Sequence, residues 1–308
     1  MNQLKRILFP TDFSRCAEQA LAHALAYAEK YRAELHLLHA VVLHGYDPYN
    51  PDHNLAEVEE QIVESLQKDA SDRLAVAIDP VTEKNLQVVR SEKRGVSTAP
   101  VILDYAEDNA IDLIVMGTHG RRGLGQIFLG SVAEAVVREA ECSVLTVREQ
   151  KDPKPASDMD TLLVPIDFSE HSRRALEYAK KIAAAFQARL QLLHVVEQMI
   201  HPSFYAIGKT SILDLDPDIV GRSQREMERW LQEAEGPDIP AETFVVDGRA
   251  NRDIVKFAEE HDCDLIIIAT HGLTGLDRFL MGSVTQKVVR RSPCPVFTVK
   301  SFGRPLAG

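Results

Sequence analysis

The sequence has few cysteines, no long apolar run and no excess of basic residues. Its four cysteines lie far apart, at Cys16, Cys142, Cys263 and Cys294, so the paired spacing of a zinc site or a redox dithiol is excluded. We interpret them as buried thiols in a reducing compartment. No segment approaches the roughly 20 apolar residues that cross a bilayer, and the first apolar run is too short for a signal peptide. These absences predict a cytoplasmic protein.

The charge balance is acidic, with 35 Lys and Arg against 46 Asp and Glu and a net charge of −11. Phosphate backbones and anionic lipids repel such a protein, so neither nucleic acid nor a membrane surface is an expected partner. Hydrophobic residues make up 45% and charged residues 26% of the 308 residues. This composition is typical of soluble globular proteins, not of disordered, collagen-like or coiled-coil chains, and the length predicts two domains.

The two halves of the chain repeat each other. The repeated segments are residues 9–14, 35–41, 112–120 and 130–132, which recur as 164–169, 190–196, 264–272 and 282–284. The offset is 155 residues for the first two segments and 152 for the last two, so the copies differ in length only in their middle parts. We predict one domain over 1–150 and another over 159–308, joined by the polar, proline-containing linker 151–158.

Within a copy, short β-branched apolar runs alternate with longer amphipathic runs, which is the pattern of βαβ units. In the first copy it predicts strands over about 4–10, 34–42, 86–90, 112–117 and 143–148, and helices over about 14–31, 55–77, 98–109 and 131–140. The run 265–268 shows no alternation, as expected of a central strand covered on both faces. We therefore predict the α/β class, with two tandem doubly wound domains that each contain a five-stranded parallel sheet.

Candidate site residues cluster at the predicted carboxyl ends of two strands. In open sheets of this kind, ligands bind beyond those ends, where the strand order reverses. The first strand leads into Asp12, and the fourth leads into a glycine-containing loop, residues 117–120. Gly130 and Ser131 then precede an apolar helical run, and free N–H groups at a helix start bind anions. Glycines in this loop let a phosphate chain approach the backbone.

The order and spacing of these residues resemble the ATP-binding motif of the universal stress protein family. The matching features are Gly117-x2-Gly120-x9-Gly130-Ser131, the preceding Pro10-Thr11-Asp12, and Leu37-Leu38-His39 in strand two. Equivalent features occur in the second copy, so the chain resembles a tandem member whose two domains cover nearly all of it. The resemblance implies a Rossmann-like, adenine nucleotide alpha hydrolase-like fold in each domain.

The resemblance also implies which residues hold a nucleotide, either ATP or its relatives ADP and AMP. Ribose contacts are implied for Asp12 and Gly117, backbone contacts with adenine for Ala40 and Val41, and phosphate contacts for Gly120, Gly130, Ser131 and Val132. The equivalent residues of the second copy are, in the same order, Asp167, Ala269, Val195, Val196, Gly272, Gly282, Ser283 and Val284. A divalent metal such as Mg or Mn is implied with the phosphates, although the sequence shows no dedicated metal cage.

The second copy departs from the motif at Ala269, which occupies the position of Gly117. Its methyl group either crowds the ribose or is tolerated at an ordinary strand end. We therefore expect the first copy to contain the more secure site. His39 and His194, which lie near the end of strand two, are interpreted as core or capping histidines.

The loop that follows strand four contains further polar residues whose roles stay open. His119 and His271 either touch phosphate or pack beneath the loop. The arginine pair 121–122 is interpreted as solvated charge, because the second copy has Leu and Thr there. Residues 46–51 are interpreted as a surface loop, with a lid over the site as the weaker alternative.

Catalytic motifs are missing from the sequence, which has no nucleophile elbow, no Walker A lysine after the glycines and no paired carboxylates. Any ATP hydrolysis is therefore expected to be slow. The leading hypothesis is an adenine-nucleotide-binding module or switch of the stress response. The alternatives are a slow metal-dependent nucleotide hydrolase or nucleotidyl transferase, and a nucleotide-free scaffold that binds another ligand.

The fifth strands of the two copies, 143–147 and 295–299, are apolar and would lie at sheet edges in the strand order of the family. Unpaired apolar edges favour pairing with another strand. We therefore expect the two domains to pack through these strands as an intramolecular pseudo-dimer. The sequence leaves open whether the chain also forms homodimers.

Overall fold

The protein divides into two compact units, with the main boundary between Lys151 and Asp152. In the computed structural model, the described residues are 4–42, 54–78, 85–120, 129–197, 216, 218–272 and 281–300. Each unit has the predicted α/β class. The segment between them, residues 148–160, contains neither helix nor strand.

The described part of the first unit contains five strands and four helices. In chain order they are β1 (Arg6–Pro10), α1 (Arg15–Tyr31), β2 (Glu34–Val42), α2 (Asn54–Ala75), β3 (Val88–Gly95), α3 (Thr98–Asp108), β4 (Leu113–Gly117), α4 (Ser131–Glu139) and β5 (Ser143–Val147). The strands are parallel and lie in the order β3-β2-β1-β4-β5. The predicted doubly wound topology is confirmed, because the order runs outward from β1 and β4 in opposite directions.

The described part of the second unit follows the same plan. Its elements are β6 (Thr161–Pro165), α5 (Glu170–Phe186), β7 (Arg189–Glu197), α6 (Ile219–Glu233), β8 (Ala241–Gly248), α7 (Ala250–Glu260), β9 (Leu265–Ala269), α8 (Ser283–Arg291) and β10 (Val296–Val299). The parallel strands lie in the order β8-β7-β6-β9-β10. The internal repeat of the sequence is therefore a repeat of the fold.

Burial separates the central strands from the edge strand β3. Every residue of β9 is buried, and β4 is buried except for its last residue, Gly117. The residues of β3 are half-buried or exposed, and three of them are Arg90, Lys93 and Arg94. The sequence predicts this strand only over 86–90, whereas it runs to Gly95. An edge strand pairs on one side only, here with β2, so it accommodates charged residues that a central strand would exclude.

The helix that follows the first strand begins in the same way in both units. The Oγ of Ser14 accepts a hydrogen bond from the N–H of Ala17 (3.2 Å) at the start of α1. The Oγ of Ser169 accepts one from the N–H of Ser172 (3.1 Å) at the start of α5. Each hydroxyl satisfies one of the first N–H groups of its helix. The capping serines, which lie two residues after the candidate aspartates, therefore fix the starts of both helices.

Two expectations drawn from the sequence concern the cysteines and the apolar segments. All four cysteines are buried thiols outside any disulfide, as predicted. Within the described ranges, no helix has both the length and the apolar character needed to cross a bilayer.

Candidate functional site

The strand order of the first unit reverses between β1 and β4, which are neighbours in the sheet. Ile7 pairs with Leu113 and Leu8 with Ile114, so the carboxyl ends of these strands lie side by side. The chain after β1 enters α1, and β2 lies on the other side of β1. A reversal of this kind opens a crevice beyond the strand ends. The equivalent reversal in the second unit lies between β6 and β9.

Asp12, two residues beyond β1, is held in a tight turn against the loop that follows β4. Its Oδ1 accepts a hydrogen bond from the N–H of Ser14 (3.0 Å). Its Oδ2 faces Gly120 so closely that a Cβ added there would lie 2.5 Å from it. The φ of Gly120 lies outside the left-handed region, so the backbone alone does not require glycine. The carboxylate requires it, because a methyl group would displace Oδ2.

The second unit repeats this contact almost atom for atom. The Oδ1 of Asp167 accepts hydrogen bonds from the N–H and the hydroxyl of Ser169. A Cβ on Gly272 would lie 2.4 Å from the Oδ2 of Asp167. In each unit, therefore, the carboxylate that follows the first strand lies against a glycine that follows the fourth strand.

The amino end of α4 is fastened to the exit of β4 through a glycine. The N–H of Gly130 donates to the carbonyl oxygen of Thr118 (2.8 Å), and the N–H of Thr118 donates to Val147 of β5 (2.8 Å). A Cβ on Gly130 would lie 3.0 Å from that same Thr118 oxygen. Gly130 has no side chain to cap α4, whose first residues are Ser131 and Val132. The first N–H groups of a helix lack intrahelical acceptors and carry partial positive charge, so this helix start suits an anion.

The same connection exists at the start of α8. The N–H of Gly282 donates to the carbonyl oxygen of Thr270 (2.8 Å), and Thr270 donates to Val299 of β10 (3.0 Å). A Cβ on Gly282 would lie 3.3 Å from the Thr270 oxygen, slightly farther than in the first unit. Ser283 and Val284 begin the helix. Both units thus place a helix start directly beyond the fourth strand.

The end of the second strand lies beside the candidate aspartate in each unit. The Nδ1–H of His39 donates to the carbonyl oxygen of Thr11 (2.7 Å), the residue before Asp12. Val41 as a whole residue is only 3% exposed and pairs with Arg94 of β3, while Ala40 is half-buried; β1 pairs with β2 only as far as Leu38. The prediction of a capping histidine is confirmed at this position.

In the second unit, the Nδ1–H of His194 donates to the carbonyl oxygen of Ile166 (2.8 Å), and the capping prediction is confirmed there too. The side chain of Val196 is buried and that of Val195 is half-buried. Both residues pair with β8, and β6 pairs with β7 only as far as Leu193, as β1 does with β2 in the first unit.

The histidine of the glycine loop is bonded to the threonine before it. The Nδ1 of His119 lies 2.9 Å from the Oγ1 of Thr118, and the equivalent distance from His271 to Thr270 is 3.1 Å. Burial lowers the pKa of His119 below its usual value; the Arg148 guanidinium lowers it further, against an opposing effect of Glu149. Burial and Arg148 therefore disfavour the charged form of His119.

The chain matches one protein-family model twice. The model described as the universal stress protein family covers residues 3–148 and residues 159–300. The chain belongs to the universal stress protein family. With two matched segments, it is a tandem member.

Individual universal stress proteins are similar to one unit or to both. Universal stress protein MJ0531 of Methanocaldococcus jannaschii is 33% identical over 139 residues, which cover 45% of this chain and 81% of that protein. Universal stress protein Rv2005c of Mycobacterium tuberculosis is 28% identical over 217 residues, 69% of each chain. A crystal structure of a universal stress protein from Archaeoglobus fulgidus is 23% identical, covers 97% of this chain and 99% of its own, and has a TM-score of 0.64. This last likeness shows a shared fold.

The departure of this universal stress protein from the motif, Ala269, is explained by the direction in which its methyl group points. A Cβ added to Gly117 in the first unit would lie 2.9 Å from the Sγ of Cys16 and 3.2 Å from its carbonyl carbon. That direction leads into the first turn of α1 and away from the loop. By the repeat, the methyl of Ala269 points at α5, and its residue is 6% exposed. Of the two readings left open by the sequence, the geometry favours a tolerated methyl group over a crowded ribose.

Some residues of the universal stress protein site have no clear signal in the sequence, and others lie outside the described part of the chain. Phe13 and Phe168, which follow the aspartates, have left-handed backbone, with φ values of 60° and 61°. The sequence shows the repeated Asp-Phe-Ser but not this backbone conformation.

The arginine pair 121–122 and the loop 46–51 lie outside the described residues. Within the described residues, no group of three or more His, Cys, Asp or Glu is arranged to hold a metal ion.

Proposed function

We propose that this universal stress protein binds ATP or a related adenine nucleotide in each unit, and acts as a cytoplasmic stress-response module or switch. One observation carries the proposal. In both units a carboxylate lies against a glycine that has no room for a Cβ, at 2.5 Å for Gly120 and 2.4 Å for Gly272. A carboxylate held at a strand exit in this way is suited to accept hydrogen bonds from ribose hydroxyls.

The surrounding groups fit the other parts of a nucleotide. The start of α4 at Ser131 and Val132 offers backbone N–H groups to phosphate oxygens, as the start of α8 does in the second unit. Ala40 and Val41 lie beyond Leu38, the last residue of β2 that pairs with β1, and they remain the proposed place of the adenine. Mg or Mn, where present, would take its ligands mainly from the phosphates and water, since the described residues hold no cage for it.

Binding, not turnover, is the proposed activity. The loop between Gly120 and Gly130 has no lysine, whereas phosphoryl transfer in P-loop proteins uses a lysine on the β- and γ-phosphates. His119 is hydrogen-bonded to Thr118, and burial disfavours its charged form. Any ATPase activity of this chain is therefore slow and incidental. The pairing of the two units through their fifth strands stays a prediction, and homodimer formation stays an open alternative.

A fluorescence titration tests the proposal one unit at a time. The only tryptophan of the chain, Trp230, packs edge-on against Phe168, with ring centroids 5.6 Å apart. Because Phe168 directly follows Asp167, we expect saturating ATP to change the tryptophan emission through the second unit. Calorimetry on the same sample should count two sites.

Matched variants assign the two signals. Asp167→Asn is expected to shift the fluorescence change to about 10- to 100-fold higher ATP, the range of a lost hydrogen bond to a charged group. Asp12→Asn is expected to leave the fluorescence change intact and to weaken the other site by the same factor. If millimolar ATP, ADP and AMP produce neither heat nor an emission change in the unmodified protein, the proposed function is wrong and a nucleotide-free scaffold is favoured.

A further inference from the structure

A phenylalanine with left-handed backbone follows the candidate aspartate in both units. The φ of Phe13 is 60° and that of Phe168 is 61°. A bulky residue in this region costs about 1–2 kcal/mol, so it persists only where its surroundings hold it in place. The strain therefore raises the question of what holds each ring.

In the first unit, an imidazole ring and a guanidinium group both contact the ring of Phe13. The imidazole of His39 lies on it with ring centroids 4.9 Å apart. The guanidinium carbon of Arg73, from the last turn of α2, lies 4.0 Å from the Phe13 centroid. A guanidinium at this distance over an aromatic face is attracted by the ring. Arg73 also lies 3.9 Å from Asp69, an exposed pair that contributes little.

In the second unit, a different residue contacts the phenylalanine ring, edge-on. The imidazole of His194 lies 4.6 Å from the Phe168 ring, and Trp230 takes the place of the arginine. Trp230 comes from the last turn of α6, the helix equivalent to α2, and is 6% exposed. Arg73 and Trp230, which come from equivalent helices, thus contact the equivalent phenylalanine, each in its own unit.

The phenylalanine is part of the turn that holds the carboxylate. It lies between the aspartate and the serine whose N–H binds the Oδ1 of that aspartate. In the first unit its N–H also donates to the Oγ1 of Thr11 (3.0 Å). The second unit has Ile166 at that position and so lacks the hydroxyl.

We propose that Arg73 and Trp230 are positioning residues for the two nucleotide sites. Each presses on the left-handed phenylalanine and thereby aims the carboxylate of Asp12 or Asp167 at the ribose, without touching the nucleotide. This inference rests on the proposed function. Its consequence is that a residue distant in sequence, on a helix without motif residues, controls nucleotide affinity.

The test measures ATP affinity by calorimetry in the full chain with Asp167→Ala, so that only the first site binds. Arg73→Ala is expected to weaken binding about fivefold to tenfold, in the range of a partly desolvated cation–π contact. Arg73→Lys keeps a cation over the ring and should recover most of the affinity. Asp69→Ala removes the ion-pair partner but not the stack and should leave the affinity unchanged.

A double-mutant cycle separates positioning from direct contact. If Arg73 acts through Asp12, Arg73→Ala should have no further effect once Asp12→Asn is present. An equal loss in both backgrounds would mean that Arg73 touches the nucleotide itself, and would overturn the proposal. So would an unchanged affinity in Arg73→Ala. If the Asp167→Ala chain with an intact first unit binds no ATP, the proposed function fails there, and this inference fails with it.

Discussion

Gly120→Ala is expected to weaken nucleotide binding in the first unit by about 10- to 100-fold, the range of a lost hydrogen bond to a charged group. The added methyl would begin 2.5 Å from the Oδ2 of Asp12, so the carboxylate must rotate away from the loop. The φ of Gly120 is compatible with alanine, and the fold should therefore survive. Calorimetry should count one site in place of two, while the emission of Trp230 should still respond to ATP.

Gly272→Ala is the equivalent control in the second unit, because its methyl group would lie 2.4 Å from the Oδ2 of Asp167. It should abolish the fluorescence response and leave the first site intact. In an Asp12→Ala background, where the methyl meets no carboxylate, Gly120→Ala should cost no further affinity. Undiminished binding by the single Gly120→Ala variant would show that the carboxylate does not contact the nucleotide.

Gly117→Ala is expected to destabilise the first unit by about 1–3 kcal/mol, the usual cost of an overpacked site. The new methyl would lie 2.9 Å from the Sγ of Cys16 and 3.2 Å from its carbonyl carbon, and backbone atoms yield little. The reverse change in the second unit, Ala269→Gly, should leave the ATP affinity of that unit unchanged. Chemical denaturation measures the first effect and the Trp230 titration the second.

The double variant Cys16→Ala, Gly117→Ala provides the control for this explanation. Removal of the sulfur takes away the nearest atom, so the double variant should lose less stability than the sum of the two single losses. A marked gain in affinity on Ala269→Gly would contradict the account, because it would mean that the methyl faces the nucleotide and not α5.

The fold was largely predictable because its signals are local and occur twice. The buried run of β9 follows from periodicity, and the starts of α4 and α8 after Gly130 and Gly282 follow from the chemistry of helix starts. The end of β3 was not predictable, since Lys93 and Arg94 look like loop residues and only the pairing with β2 extends the strand. Sequence patterns that assume burial therefore do not predict the full length of an edge strand.

The candidate site was predictable as a set of positions but not as a set of contacts. Glycine spacing indicates that Gly120 and Gly130 lie near a strand exit, yet it does not show that one accommodates a carboxylate and the other a helix start. The stack of Arg73 on Phe13 joins residues 60 positions apart on separate elements. No local sequence pattern predicts such a contact, and in the second unit a tryptophan takes the place of the arginine.

The central claim is that both units bind an adenine nucleotide, and the most direct test is to count nucleotide in the purified protein. The freshly purified chain would be denatured, and the released nucleotide identified and quantified by chromatography and mass spectrometry. After saturation with ATP and removal of the excess, the account predicts about two nucleotides per chain, one for each helix-start site. A single nucleotide that is lost with Asp12→Asn would contradict the account of Ala269. No nucleotide, together with a silent titration, would contradict the claim itself.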